Sequence, residues 1–103
     1  MTARQSKYLT WLAQQPCIVN GERGVEIAHV VGLASPKTGQ PLARRLGPSI
    51  IYAVPLSAWW HRLSPHSIHA LGERGFEHHH GWPEYHLLRY ASMFMALYIL
   101  EAT

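Results

Sequence analysis

The chain has 103 residues, 48% hydrophobic and 15% charged, with a formal charge of +3 at pH 7. That length fits one domain, residues 1–103, near the lower limit for a self-sufficient core. The six acidic residues are all Glu, which excludes a calcium or magnesium site built from several aspartates. A single cysteine, Cys17, excludes an internal disulfide and a paired-cysteine zinc knuckle.

Ser6 to Gln15 carries Tyr8, Leu9, Trp11 and Leu12 at helical spacing, with Ser6 as the expected N-cap and Pro16 as the stop. Cys17 reads as a small buried side chain. Cys17-Ile18-Val19 and Val25 to Val31 are β-prone, and Asn20-Gly21-Glu22-Arg23-Gly24 between them is a hairpin signal. The expectation is a two-stranded antiparallel hairpin with Val25, Ile27 and His29 on one face.

Gly32 to Tyr52 holds Pro36, Gly39, Pro41, Gly47 and Pro48, carries Lys37, Arg44 and Arg45, and contains no acid. It reads as a long basic loop, either a solvated connector or a contact to nucleic-acid phosphates. Ile50 to Val54 is a candidate third strand. Pro55 then opens a helical stretch with Leu56, Trp59, Trp60 and Leu63 on its apolar side, interrupted by Pro65. Ser67 to Phe76 reads as a second short helix ending near Gly75.

His78-His79-His80 reads as an exposed polar turn, because three adjacent side chains point in different directions. Trp82-Pro83-Glu84 opens the last helix, which runs to about Glu101. Its stripe of Leu87, Leu88, Ala91, Phe94, Met95, Tyr98 and Ile99 either packs deep or meets a partner, such as a second copy of the chain. The apolar run from Met93 to Leu100 is too short to span a bilayer. The first residues precede no long apolar run, so the expectation is an intracellular protein without a signal peptide or membrane partner.

Eight residues are His. His29 closes the expected strand, and His61 and His69 fall in the helical stretch some thirty residues later. Imidazole serves both as a metal ligand and as a general base near neutral pH. His66 competes with the pair as a ligand, and Glu73 stands four residues after His69, close enough to hydrogen-bond it on one helix face.

Together, Pro16-Cys17, Val25-Glu26-Ile27-Ala28-His29, Ala53-Val54-Pro55-Leu56-Ser57, His61-Arg62 and His69-Ala70-Leu71-Gly72-Glu73 with Phe76 resemble the HNH (ββα-metal, His-Me finger) endonuclease superfamily. Within it the pattern is most similar to the phage recombination-enhancement (Ref-type) nucleases, which pair a strand-end histidine with a PLC–HR–H–G–F stretch. The resemblance covers roughly residues 16–77, and the block from Pro55 to Phe76 is its specific part. It implies an α+β fold with a small ββα-metal core between an N-terminal helix and a long C-terminal helix.

It also implies a metal-dependent DNA endonuclease of phage or prophage type, linked to recombination or DNA processing. His29 would be the general base, oriented by the hairpin's main chain, and His61 and His69 would hold a divalent ion (Mg2+, Mn2+ or Zn2+). Lys37, Arg44, Arg45 and Arg62 would contact DNA. A recombinase is the implied protein partner, and the cytoplasm of a bacterial host or phage-infected cell the implied location. Two departures stand out: Ala28 occupies a position where the family commonly carries a metal ligand, and Ser57 one where it often has Cys. The first favours the alternative, a catalytically inactive HNH-fold module that binds DNA or protein. The second implies that packing by Trp59, Trp60 and the last helix replaces a structural zinc. By alternation, Glu26 falls on the opposite strand face from His29 and cannot substitute for Ala28.

Overall fold

The computed structural model describes residues 3–30 and 52–102. It is a small α+β protein: helix α1 (Ala3–Leu12), an antiparallel pair of strands β1 (Glu26–His29) and β2 (Ala53–Leu56), a π-helical turn (Trp59–Leu63), helix α2 (Ile68–His79) and the long helix α3 (His86–Ala102). A two-stranded antiparallel hairpin followed by helices is loosely consistent with a ββα arrangement. No helix among the described residues is long and apolar enough to cross a membrane.

The hairpin differs in membership from the sequence expectation. Cys17–Val19 is not a strand. Gly21 N–H donates to the Cys17 carbonyl and Cys17 N–H to the Glu22 carbonyl, both at 2.9 Å, so the segment closes on itself. Asn20 accepts from Glu22 N–H through its own side chain, the local turn its residue type favours, and Gly21 takes the positive φ of 74° that suits glycine. The true partner of β1 is β2, with Glu26 opposite Leu56, Ile27 opposite Pro55, Ala28 opposite Val54 and His29 opposite Ala53.

Pro55 therefore lies in a strand and does not open a helix. A two-stranded sheet leaves every strand an outer edge, where a residue without an N–H is tolerated, and the Pro55 carbonyl still accepts from Ile18 N–H at 3.2 Å.

All four residues of β2 are buried, because helices cover it on both sides. Val54 and Leu56 pack with Cys17, Ala28, Ile68, Phe76, Leu87 and Ala91. Ala53 packs with Tyr8, Leu12 and Phe94, where α1 meets α3. Rings close that second cluster: Tyr8 and Trp11 lie 5.1 and 5.3 Å from Tyr98. Phe76 is fully buried, which alone contributes about 1.5–3 kcal/mol of transfer free energy.

Three helix starts bear comparison with the expectation. α1 begins at Ala3, so Ser6 lies inside it, where its carbonyl accepts from the Thr10 hydroxyl. α2 begins where expected, with Ser67 Oγ accepting from Ala70 N–H at 3.2 Å, but it runs on to His79 through a break at Gly72 (φ 75°, ψ 171°). α3 begins at His86, not at Pro83, because Tyr85 takes a positive φ of 64° that a helix cannot absorb. One of its first N–H groups is served from α2: the buried Glu77 carboxylate accepts from Leu87 N–H at 2.8 Å.

Candidate active site

A cleft of about 740 Å³ opens between the end of β1, the π turn and α2. His29 enters it from the last position of β1, His61 from the π turn and His69 from the first turn of α2, alongside Ile27, Gly72 and Arg74. Sequence distance is closed by topology. β2 returns antiparallel beside β1 and leads within two residues into the π turn, so strand and turn histidines share one wall. The π turn carries the wider Ser64 N–H to Trp59 carbonyl bond at 2.8 Å, a local feature often found at functional sites.

The ring that a polar partner holds is His61. Its Nδ1 lies 2.8 Å from Glu26 Oε1. Arg62 grips the same carboxylate through Nε, 3.0 and 3.1 Å from the two oxygens, and through Nη2 at 3.0 Å. Hydrogen bonds from Arg62 and then His61 pull the Glu26 carboxyl down to about 2, so it is ionised throughout the neutral and mildly acid range. His29 stands exposed at the end of β1. Glu26 does not line the cleft; it stands behind His61. By strand alternation alone, Glu26 fell on the wrong face to matter. No sequence signal pointed to it, because Leu56, its partner in the register, read as part of a helix.

His61 and His69 pack ring against ring, centroids 4.5 Å apart and planes crossing at 66°. A metal bound to imidazole nitrogen lies close to the ring plane at about 2.0–2.1 Å, so crossing planes can share one ion. His66 and His79 make the contrast: at 4.3 Å and 7° their rings are stacked in parallel, and parallel planes share no such position. Among the described residues, no three His, Cys or acidic side chains form a group that could hold a metal. Two imidazoles would leave most of an ion's shell to solvent, and the described residues hold no closed structural site.

Ala28, where the resemblance places a further ligand, is 1% exposed and belongs to the core. Ser57, where the resemblance places a Cys, meets Cys17 in the interior, with Cys17 Sγ accepting from Ser57 N–H at 3.4 Å. His80 is no exposed turn residue; it packs 4.4 Å from Phe76 and 4.9 Å from both Trp60 and Trp82. Lys37, Arg44 and Arg45 lie outside the described residues. Compared with protein-family models, curated proteins and solved structures, the chain gives no match.

Proposed function

We propose that this chain is a metal-dependent DNA endonuclease of the HNH type, close to the phage recombination-enhancement nucleases. The observation that carries the reading is the shared cleft: His29, His61 and His69, from three different elements, open into one cavity beside an antiparallel pair and the helical turn that follows it. His29 is exposed at the end of β1, where an unprotonated ring nitrogen takes the proton of the water that attacks phosphorus. One P–O bond forms to that water and the bond to the leaving oxygen breaks. His61 and His69 would hold a divalent ion (Mg2+, Mn2+ or Zn2+), which stabilises negative charge on the phosphate and the leaving group. Lys37, Arg44 and Arg45 supply the positive charge that draws in the DNA backbone, whereas Arg62, expected from the resemblance to join them, is bound to Glu26. The setting implied is the cytoplasm of a bacterial host or infected cell, with a recombinase as partner.

The test is cleavage of supercoiled and linear DNA with each of the three ions and with chelator. His29→Ala is expected to lower the rate by about 10²–10⁴-fold while DNA binding and folding stay near native. Full activity in that variant would remove His29 as the base.

A second reading, a catalytically inactive module of the same fold, is favoured by buried Ala28 and by a donor pair in place of a larger ligand set. Native protein that binds DNA yet cuts it with none of the three ions decides for this reading.

A further inference from the structure

We infer that Glu26 is the positioning carboxylate of the cleft: it fixes His61 with the proton on Nδ1 and the lone pair on Nε2, and Arg62 serves chiefly to lock Glu26 in place. The metal-binding half of this inference rests on the proposed nuclease reading; the tautomer half does not.

Acceptor chemistry decides where the proton lies. An ionised carboxylate has no proton to give and only accepts. With Oε1 2.8 Å from His61 Nδ1, the hydrogen between them belongs to the imidazole. A neutral His61 is therefore the Nδ1–H tautomer, and its remaining lone pair sits on Nε2. Free imidazole exchanges between two tautomers, and only the one with a lone pair facing the ligand can bind it. A carboxylate that selects the tautomer and the ring orientation raises ligand basicity.

The geometry around Glu26 supports a positioning role over a casual surface pair. Both oxygens are engaged by Arg62, whose nitrogens lie within 3.1 Å of them. The His61 side chain is only 16% exposed and Glu26 31%, whereas Arg62 is 49% exposed. The series Arg62–Glu26–His61 thus runs from solvent inward to the cleft. His69 meets the far part of the assembly, packing against the His61 ring at 4.5 Å. Glu26 is itself anchored by the backbone, opposite Leu56 in the register that leads directly into the π turn. Arg62, read from the sequence as a DNA contact, has its guanidinium turned to this internal task.

The experiment reads the His61 ring directly. Long-range ¹H–¹⁵N correlation spectra of the metal-free protein, assigned by loss of the signal in His61→Gln, report which ring nitrogen carries the proton. The expected result above the histidine titration range is a protonated Nδ1 and a bare Nε2. Glu26→Ala should give a mixture of both tautomers, and Glu26→Gln, which keeps an oxygen acceptor, should restore the Nδ1–H form. In parallel, Zn2+ and Co2+ titrations by calorimetry should show affinity falling about 10–100-fold in Glu26→Ala, with most of it regained in Glu26→Gln. Native His61 protonated on Nε2, or a tautomer unchanged in Glu26→Ala, overturns the assignment. Native protein that keeps the Nδ1–H form but binds neither ion supports the positioning role and counts against the nuclease reading.

Discussion

His80 lies with its ring against Phe76, Trp60 and Trp82, and its buried Nε2 has no hydrogen-bond partner. Burial, and then the neighbouring His79, lower its pKa below the ordinary histidine value. A histidine held neutral in the fold gives a definite sign. Its contribution is fully present above the unfolded pKa of about 6.5, and is lost as pH falls toward the lowered native value. His80→Phe keeps the aromatic packing and removes the orphaned nitrogen, a change that is often neutral or stabilising. Urea denaturation at pH 7.5 and pH 5 should therefore show a smaller loss between the two pH values in the variant than in the native chain. An unchanged difference would assign the acid sensitivity to other groups. Glu26 behaves differently: with its carboxyl at about 2, its contribution is in place above the ordinary carboxylate range and fades only as pH falls through that value. Some of these residues were legible in the sequence and others were not, for a physical reason. His29, His61 and His69 announce themselves by residue type and order. His80 and Glu26 depend on which neighbours enclose them, and His78-His79-His80 as a string says nothing of a ring slotted between two tryptophans.

At the scale of elements, sequence signals were accurate where the rule is local. Ser67 caps α2 as its residue type requires, and the apolar stripe of α3 supplies Leu87, Ala91 and Phe94 to the core. They failed where a distant segment decides. Asn20-Gly21 makes its turn, but the segment before it closes on itself, and β1 pairs with a fully buried apolar run that arrives only after residues 31–51. The start of α3 was hidden for the same reason: its cap comes from Glu77 on another helix. Glu77→Ala should cost about 0.5–2 kcal/mol, the range for removing a helix N-cap acceptor, with Glu77→Gln closer to native; equal stability of Ala variant and native chain by chemical denaturation would refute the cap. Gly72 makes a second case. A Cβ there would meet nothing within 4 Å, so any penalty is backbone strain alone. Its φ of 75° and ψ of 171° fall in a region essentially reserved for glycine. Gly72→Ala is expected to destabilise the fold by about 1–3 kcal/mol. Native stability in that variant would show that the break in α2 carries no strain.

Over the whole molecule, the balance of charge decides how DNA would be held on the proposed nuclease reading. The net charge is only +3, and one of the cationic side chains nearest the cleft, Arg62, is bound to Glu26. Arg74, which lines the cleft, shares its charge with Glu84 at 3.4 Å. Phosphate attraction must then draw mainly on cations without an acid beside them in the chain. Gly32 to Tyr52 holds Lys37, Arg44 and Arg45 and no acid at all, so charge alone makes this segment the main candidate for backbone contacts. Such contacts release counterions and carry no sequence information. Replacing Arg44 and Arg45 together by Gln should weaken binding about equally for all DNA sequences. The slope of log affinity against log salt should flatten by about one unit for each phosphate that is no longer neutralised. Arg62→Gln should behave in the opposite way, lowering metal affinity through Glu26 while leaving the salt slope nearly unchanged. Fluorescence anisotropy across a salt series, beside metal calorimetry on the same variants, separates the two roles. If the double replacement leaves both affinity and slope as they were, the basic segment is a solvated connector. The DNA-binding part of the nuclease reading then has no support, and the inactive, protein-binding reading of the same fold takes precedence.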